Sequence, residues 1–379
     1  MKRVVASAAV VICTVVSGAA PASASTGWQA EPMPTPVGAG SASPASVSCP
    51  AKGNCTAVGD FQHNGPFTLA EHWDGTSWAI QPTPNRFKGE LAGVSCASPA
   101  SCIAVGATHA NGGRPLAEQW SGTSWALQRF RLPAGAAVAG LGRVSCPSTA
   151  DCTAVGEYVP VGSRVNQPWA AHWNGTGWTA ELLPLPTQVA PLGGHLNSVS
   201  CPTALDCIAV GTYSAFGQQD HLLAERWNGH RWSLQTVPSP AGAAVLLNSV
   251  SCSAVRSCTA VGGSYNSSSQ QMASIVERWN GASWARQADA APAHTALQGV
   301  SCPSGGACTA VGWVFAGEVG SKFAMVAEHW NGTSWTVQAT PAPPQAKQEA
   351  LNGVSCLASL YCTAVGGYFR GVPFAEHEQ

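Results

Sequence analysis

The chain has 379 residues and a formal net charge of −1, and only 10% of its residues are charged. An average domain has about 25% charged residues, so this composition excludes the basic surface that attracts nucleic acid or an anionic membrane. We therefore expect no nucleic-acid partner. The 41 Gly, 27 Pro and 15 Trp residues are typical of a large all-β protein with long turns.

The first predicted element is a secretory signal peptide at residues 1–24. Lys2 and Arg3 form a short basic region, and residues 4–16 form an apolar run that is too short to span a bilayer. Cleavage leaves one mature domain at residues 25–379, and the loss of two basic residues changes its net charge to −3. No later apolar run reaches about 18 residues. We therefore expect a soluble, secreted monomer without membrane insertion.

The second predicted element is a strand that has no partner nearby in the sequence. Trp28 is followed three residues later by Glu31. The same spacing ends a later repeat at Trp178 and Glu181. We interpret Trp28 as the start of an outer strand that is separated from the rest of its sheet.

Seven repeats follow, at a spacing of 47 to 55 residues. Each contains Val-Ser-Cys, five further residues, and Cys-(Thr/Ile)-Ala-Val-Gly. A period of about 40–50 residues is typical of β-propeller blades. The Cys pairs of the repeats are Cys49–Cys55, Cys96–Cys102, Cys146–Cys152, Cys201–Cys207, Cys252–Cys258, Cys302–Cys308 and Cys356–Cys362.

Each repeat is predicted to form four strands, A to D. Strand A ends at the first Cys, strand B begins at the second, strand C ends at a Trp, and strand D begins at another Trp. An Asn-Gly or Asp-Gly pair separates strands C and D in most repeats, as at Asn331, and favours a tight turn between antiparallel strands. Prolines follow strand D, which suits an edge strand because proline donates no hydrogen bond.

The two ends of the chain predict a closed ring. The last repeat ends at Ala375-Glu376-His377, where its strand D is missing, and the strand at Trp28 supplies one. Closure also removes the exposed edges that an open sheet must protect. We predict an all-β fold, a seven-bladed β-propeller of four-stranded antiparallel blades, in which the N-terminal strand completes the C-terminal blade.

The Cys pairs are predicted to be disulfides, one in each blade. Zinc sites usually gather about four ligands with spacers of roughly two to four residues, whereas each pair here has a five-residue spacer and the ring keeps the pairs apart. A secreted protein also favours disulfides. We expect each bond to join strands A and B of its blade, and we predict no metal site and no cofactor.

Most of the other repeated residues are interpreted as structural. The two Trp of each repeat are expected to pack between blades. A Glu recurs in strand C of six repeats, and six equivalent copies cannot form one active site, so we expect it to make hydrogen bonds between blades. The recurring residues are Glu71, Glu118, Glu225, Glu277, Glu328 and Glu376.

The candidate ligand-binding residues follow strand B. In an up-and-down blade the B–C and D–A loops share one face, and here these loops differ between repeats, which favours that face for binding. Aromatic rings beside polar groups suit a sugar, since a ring covers a pyranose face while polar groups bond its hydroxyls. The predicted ligand-binding residues are Phe61, Tyr158, Tyr213, Trp313 and Tyr368.

A catalytic alternative depends on Asp60 and Glu157, two carboxylates at the same position of the first and third repeats. Glycoside hydrolysis uses two carboxylates about 5–10 Å apart. No Ser-His-Asp, metal-binding or Gly-rich motif supports another reaction. Asp60 and Glu157 are therefore the candidate catalytic residues.

The repeat at residues 200–232 contains Ser-Cys-Pro, Cys-Ile-Ala-Val-Gly and Glu-Arg-Trp-Asn-Gly-His-Arg-Trp. It resembles the repeat of uncharacterised secreted bacterial proteins, and the whole mature chain resembles the seven-bladed β-propeller superfamily. The resemblance implies the fold and no activity. The turn with Gly332 and Trp335 is similar to the Asp-box of sialidases, but Asn331 adjoins the Gly where the box has an intervening residue, and the box is structural.

The sequence favours a non-catalytic extracellular binding module for carbohydrate or another cell-envelope polymer. The alternatives are a polysaccharide-active enzyme, either a glycoside hydrolase or a lyase, and an extracellular protein–protein interaction scaffold. Near-equivalent pockets in several blades would favour the binding module. One deep pocket with two unique carboxylates would favour the enzyme, and an apolar patch would favour the scaffold.

Overall fold

The computed structural model describes residues 27–84, 87–109, 113–186, 191–215, 219–315, 323–341, 349–368 and 371–378. Its strands form seven four-stranded antiparallel sheets, which are the blades of a propeller. The predicted seven-bladed, all-β fold is confirmed. In the described part of the chain, no helix is long and apolar enough to cross a membrane. The predicted signal peptide lies outside the described residues.

The strands are numbered in chain order, and each blade has one strand in each of four layers. Strands A, around the central channel, are β2 (Ser41–Ala51), β6 (Gly89–Ser98), β10 (Ala136–Ser148), β14 (Pro191–Thr203), β18 (Ala244–Ala254), β22 (Thr295–Ser304) and β26 (Glu349–Ala358), for blades 1 to 7 in turn. Strands B are β3 (Asn54–Gln62), β7 (Ser101–Thr108), β11 (Asp151–Pro160), β15 (Asp206–Ala215), β19 (Ser257–Asn266), β23 (Ala307–Phe315) and β27 (Tyr361–Tyr368). Strands C are β4 (Pro66–Trp73), β8 (Arg114–Trp120), β12 (Gln167–Trp173), β16 (His221–Trp227), β20 (Gln271–Trp279), β24 (Phe323–Trp330) and β28 (Val372–Glu378). Strands D are β5 (Trp78–Ile80), β9 (Trp125–Leu127), β13 (Trp178–Leu182), β17 (Trp232–Gln235), β21 (Trp284–Arg286), β25 (Trp335–Gln338) and, in blade 7, β1 (Trp28–Pro32).

The N-terminal strand closes the ring as predicted. β1 pairs antiparallel with β28, from Trp28 opposite Glu378 to Pro32 opposite Phe374. Trp28 is 4% exposed, and its Nε1 donates a hydrogen bond of 2.9 Å to Gln338 of blade 6. The N-terminal strand therefore contacts two blades.

All seven predicted disulfides form, each between strands A and B of one blade. The Ser of each Val-Ser-Cys has a second function that the pattern did not indicate. Its Oγ accepts a hydrogen bond from the backbone N–H of the first Cys in the next blade, at 2.9–3.0 Å around the whole ring. The last of these bonds joins Ser355 of blade 7 to Cys49 of blade 1.

The Gly that ends Ala-Val-Gly is required by a close approach of two strands. A Cβ at Gly59 would lie 2.0 Å from the carbonyl oxygen of Ser43, and the corresponding Gly of each other blade is equally close to strand A. Each strand A shifts its register by one residue at this level, as between Pro44 and Ser46. Such a β-bulge bends the strand and brings its backbone onto the glycine.

Hydrophobic clusters fill the spaces between blades, as predicted for the repeated Trp. Trp279 and Trp284 are 3% and 4% exposed, and their cluster includes residues of blade 4. The residue before the strand-C Trp also contacts the next blade. His377 of blade 7 lies 4.4 Å from the ring of Trp73 in blade 1, and Arg278 lies over Trp330 at 5.4 Å.

The recurring Glu residues of strand C are buried between blades. Thr68 of blade 1 donates to Glu118 of blade 2 at 3.3 Å, which is the predicted bond between blades. The prediction is wrong for Glu71, Glu225 and Glu376, whose carboxylates are fully buried and have no hydrogen-bond partner among the described residues. Burial raises the pKa of each of these three to about 8. These side chains are therefore largely protonated at neutral pH.

Candidate functional site

Two sets of residues lie where strand B ends, on the face of the variable loops. The first set pairs strand B with strand A at the mouth of the central channel, and we call these the mouth pairs. They are Ser43–Asp60, Glu90–Ala107, Gly140–Glu157, His195–Thr212, Leu246–Gly263, Ala296–Trp313 and Ala350–Gly367. Mouth pairs of blades 2 and 3 lie close together, since a Cβ added at Gly140 would lie 3.5 Å from the Cβ of Ala107.

The second set pairs the next residue of strand B with the start of strand C, and we call these the edge pairs. Successive side chains of a strand point to opposite faces of the sheet, so the edge pairs face away from the mouth pairs. Four of the five predicted aromatic residues belong to edge pairs, whereas Trp313 belongs to a mouth pair. The edge pairs are Phe61–Phe67, Thr108–Arg114, Tyr158–Gln167, Tyr213–His221, Ser264–Ala273, Val314–Ala324 and Tyr368–Val372.

The candidate catalytic residue Asp60 lies at the mouth in blade 1. Burial raises the pKa of Asp60, a hydrogen bond from Gln62 at 2.6 Å lowers it, and the nearby charge of Glu90 raises it again. Glu90 belongs to blade 2 and lies 3.5 Å from His109. The neighbour of Asp60 is therefore a different carboxylate from the one that the sequence suggested.

Glu157 lies at the equivalent mouth position of blade 3, two blades away from Asp60. Asn166, in the loop before strand C of the same blade, donates a hydrogen bond to its carboxylate. No contact in the described part of the chain joins Glu157 to Asp60. Their action as a catalytic pair stays a prediction.

Arg143 closes the central channel beneath the mouth pairs. It extends from strand A of blade 3, and its Nη1 donates to the carbonyl oxygens of Ala45 in blade 1 and Ala92 in blade 2, at 3.0 and 2.7 Å. Its Nη2 donates to Asn352 of blade 7 at 3.4 Å. Burial lowers the pKa of Arg143 to about 10, so the guanidinium remains charged at neutral pH. One side chain thus connects four blades.

Asparagine side chains extend this closure around the channel. Asn197 donates to Leu247 of blade 5, and Asn248 donates to Leu297 of blade 6, both at 2.8 Å. Asn352 donates to Pro44 of blade 1 at 3.0 Å. These bonds and Arg143 form a floor, and the mouth pairs form a rim above it. We call the resulting depression the bowl.

A cavity of about 360 Å³ opens in the bowl where blades 4, 5 and 6 meet. Most of its wall is apolar, and Leu246 and Tyr265 are 39% and 41% exposed. Trp313 lines it from blade 6, and His195 and Asp220 line it from blade 4. Trp313 is therefore the one predicted ligand-binding residue among the described side chains that faces the bowl cavity.

A second cavity, of about 480 Å³, lies at the edge pair of blade 4. Tyr213 and His221 stack there with ring centres 5.1 Å apart, and burial raises the pKa of Tyr213. Leu223 and Leu234 supply apolar wall, and Gln235 supplies a polar side chain. Ser239 also lines the cavity and accepts a hydrogen bond from Leu222 N–H.

A third cavity, of about 250 Å³, occupies the same position in blade 2. The strand register places Thr108, Arg114, Leu116, Leu127 and Gln128 where blade 4 has Tyr213, His221, Leu223, Leu234 and Gln235. The two blades thus have equivalent edge cavities of different polarity.

In blade 3 a large side chain occupies the position that corresponds to the cavity-lining leucines. Trp169 takes the place of the cavity-lining leucines, is fully buried, and donates to the carbonyl oxygens of Gly140 and Glu157, both at 3.0 Å. Tyr158 packs in the same cluster and is 9% exposed. Its ring therefore offers little surface to a ligand.

The remaining predicted residues have different surroundings. Phe61 is half-buried and stacks on Phe67 at 5.8 Å in blade 1. The backbone of Tyr368 pairs with Glu349 and Val372, while its side chain lies outside the described residues. The five predicted ligand-binding residues therefore do not form one site.

The strand-D Gln has a different contact in the two blades whose edge cavities are described above. In blades 1, 5 and 6 this Gln accepts a hydrogen bond from the strand-D Trp of the next blade, as Gln81 does from Trp125 at 2.9 Å. Gln128 and Gln235 line the cavities instead, and the corresponding Nε1 atoms of Trp178 and Trp284 have no partner among the described residues. Each cavity therefore contains a Gln side chain that, in blades 1, 5 and 6, accepts a hydrogen bond from the next blade.

Sequence reasoning missed Arg143, Glu90 and the cavity residues outside strand B. A signal for Arg143 was present in the repeat, because the residue before Val-Ser-Cys is Ser or Gly in every other blade. No comparable signal marks Leu246 or Gln235, whose positions depend on the curvature of the ring. No group of His, Cys, Asp and Glu that would hold a metal ion occurs in the described ranges.

No protein-family model and no curated protein matches the sequence. Among solved structures, YCF48 bound to a D1 peptide is similar, with a TM-score of 0.56, 12% identity, and coverage of 96% of this chain and 100% of that chain. An ulvan lyase of polysaccharide lyase family PL25, bound to –[GlcA(1-4)Rha3S]–, gives a TM-score of 0.56 at 8% identity, covering 89% and 94%. A Hadza microbial sialidase gives 0.53 at 8%, covering 84% and 74%. At these identities the similarity is one of fold.

Proposed function

We propose that this chain is a secreted, non-catalytic binding module for carbohydrate or another cell-envelope polymer, and that the edge cavities of blades 2 and 4 bind it. The observation that carries the proposal is the repetition of one cavity at equivalent positions of two blades. Repeated sites favour a polymer that presents the same unit many times, because simultaneous binding at two weak sites increases the overall affinity.

The chemistry of the blade 4 cavity suits a sugar ring. Tyr213 offers an aromatic ring, Leu223 extends the apolar wall, and the side chains of His221 and Gln235 lie beside them. A pyranose has a face of C–H groups and an edge of hydroxyls, so it needs both kinds of surface together. The volume of about 480 Å³ is within the range of small-molecule sites.

Two further features support secretion and binding at a surface. Seven disulfides in one chain are typical of oxidising extracellular compartments. The edge cavity of blade 2 has Arg114 where blade 4 has His221. The guanidinium would favour an acidic sugar or a phosphorylated polymer there.

A polysaccharide-active enzyme is the second candidate, and one observation favours it. Asp60 has a raised pKa and lies beside Glu90, which provides two carboxylates in adjacent blades. Neither residue lines the edge cavities, so catalysis would require a substrate at the mouth of the channel. The similar propellers include a lyase and a sialidase, but one fold hosts many functions, and the choice depends on the site.

The test measures retention and cleavage together. The purified mature protein is incubated with a panel of cell-wall polysaccharides and labelled glycans, and both the bound fraction and the released reducing ends are recorded. We expect retention without release, weakened about tenfold by Tyr213→Ala, since one buried aromatic contact contributes roughly 1–2 kcal/mol. Arg114→Ala tests the cavity of blade 2 in the same way.

Tyr265→Ala is the matched control, because Tyr265 is an exposed tyrosine of the bowl outside both edge cavities. Retention that is lost in Tyr265→Ala and kept in Tyr213→Ala would contradict the proposed site. Release of reducing ends that requires Asp60 or Glu90 would contradict the non-catalytic binding module and support the polysaccharide-active enzyme.

A further inference from the structure

The bowl is a second site whose chemistry differs from that of the edge cavities. We propose that it docks a polypeptide segment in which an aromatic side chain is flanked by positive charges. This function is independent of carbohydrate binding, because the bowl cavity shares no lining residue with the edge cavities.

The bowl cavity has the size and the wall of a side-chain pocket. Its volume is about 360 Å³, and its lining includes Val245, Leu246, Met272 and Trp313. Leu246 and Tyr265 remain 39% and 41% exposed, although a Leu is normally placed in the core. An exposed apolar wall inside a concave site is typical of a surface that a partner covers.

Trp313 is held in a fixed orientation. Phe315 and Phe323 contact it edge-on, with ring centres 5.1 and 4.9 Å from its own. The two Phe rings lie 4.7 Å apart and complete the cluster. A rigid aromatic wall loses little conformational entropy on binding, which favours contact with a second aromatic ring.

The floor of the bowl limits what can enter. Arg143 and the asparagine bonds close the channel below the mouth pairs, so a chain cannot pass through the ring. The occupant must enter and leave on the same face. A single side chain projecting from a peptide that lies across the rim satisfies this geometry.

Charge at the rim selects the flanking residues of the peptide. Asp60, Glu90 and Glu157 occupy mouth pairs of three consecutive blades, and Asp220 lines the cavity. The guanidinium of Arg143 already donates to three backbone carbonyls and does not neutralise these carboxylates directly. The mouth pairs contain these three carboxylates and no Lys or Arg, so they attract Lys and Arg more than acidic residues, and the positive charge of Lys88, which donates to Asn64 on the same face, offsets only part of theirs.

A sugar fits the bowl cavity less well than a peptide. Most of the exposed surface of its wall is apolar, although His195, Asp220 and Gln298 also line it, so sugar hydroxyls there would lose water and regain hydrogen bonds only to a few polar groups. An aromatic side chain has no such cost. The proposal therefore commits to a cationic, aromatic peptide.

The test uses a fluorescein-labelled peptide, Gly-Lys-Lys-Trp-Lys-Lys-Gly, and fluorescence anisotropy with the full mature chain at low ionic strength. We expect saturable binding that Leu246→Lys weakens at least about tenfold, since the new charge fills the wall and repels the lysines. Leu360→Lys is the matched control, because Leu360 is 55% exposed at the A–B turn on the opposite face. The Leu360→Lys variant should bind the peptide with the same affinity as the unmodified chain.

Peptide changes separate the two parts of the proposal. Replacing the central Trp by Gly, or the four Lys by Glu, should each reduce binding at least about tenfold. Equal binding by the unmodified chain and Leu246→Lys would overturn the proposal, and so would absence of saturable binding. Displacement of the peptide by a neutral oligosaccharide would assign the bowl to sugar. Failure here leaves glycan retention through Tyr213 intact, and the reverse also holds.

Discussion

Replacement of Arg143 by Met tests how the ring is closed. The substitution keeps an unbranched side chain but removes every donor, so the carbonyl oxygens of Ala45 and Ala92 lose bonds of 3.0 and 2.7 Å. A buried carbonyl without a donor costs about 1–3 kcal/mol, so two cost roughly 2–6 kcal/mol. The variant no longer buries a charge, and the absence of this desolvation penalty offsets part of the lost stability. We expect a net loss of about 2–4 kcal/mol in the free energy of unfolding.

The assay is equilibrium unfolding in urea with the disulfides intact, followed by tryptophan fluorescence. Arg164→Met is the matched control, because Arg164 is exposed in the B–C loop of the same blade, and it should change stability by less than about 0.5 kcal/mol. Arg143→Lys should fall between the two, since an ammonium keeps the charge but not the planar geometry. A stability of Arg143→Met equal to or above that of the unmodified chain would refute the role assigned to this residue.

Three further predictions concern stability. Burial raises the pKa of Glu71 and Glu376 to about 8, above the unfolded value of 4.5, so the native state binds more protons and its stability should fall as the pH rises from 6.5 to 8.5, by up to about 1.4 kcal/mol per pH unit for each carboxyl. The lowered pKa of His377, about 4 against an unfolded value of 6.5, makes stability rise with pH between these two values, so it opposes the fall only at the start of this range. A urea midpoint that rises between pH 7.5 and 8.5 would contradict the prediction. Trp28→Ala should lower the free energy of unfolding by about 3–5 kcal/mol and make the N-terminal strand accessible to proteases, and unchanged protease resistance would contradict ring closure by this strand. Ser355→Ala should cost about 0.5–1.5 kcal/mol through the lost bond to the backbone of blade 1, which the same urea titration measures, with an unchanged midpoint as the contrary result.

The architecture was predictable because it depends on short-range patterns. The Cys spacing, the Asn-Gly turns and the Trp positions recur within each repeat and specify strands and hairpins locally. Ring closure was predictable from the incomplete last repeat and the strand at Trp28. Each of these features can be recognised from residues close together in the sequence or from the one strand that the last repeat lacks.

The candidate site was predictable only in part, because it depends on contacts between blades. The sequence grouped Trp313 with Tyr213, but the alternation of side chains along strand B sends one to the bowl and the other to the edge of its blade. It selected Tyr158 without indicating that Trp169 would fill the adjoining space. It paired Asp60 with Glu157, while the neighbour across the blade interface is Glu90.

The most direct test of the central proposal is the stoichiometry of glycan binding. An oligosaccharide from the best-retained polymer, too short to span two blades, is titrated into the purified protein by calorimetry. We predict two bound molecules per chain, with one lost in Tyr213→Ala and the other in Arg114→Ala. A stoichiometry of zero, or one molecule whose binding neither variant changes, would contradict carbohydrate binding at the edge cavities.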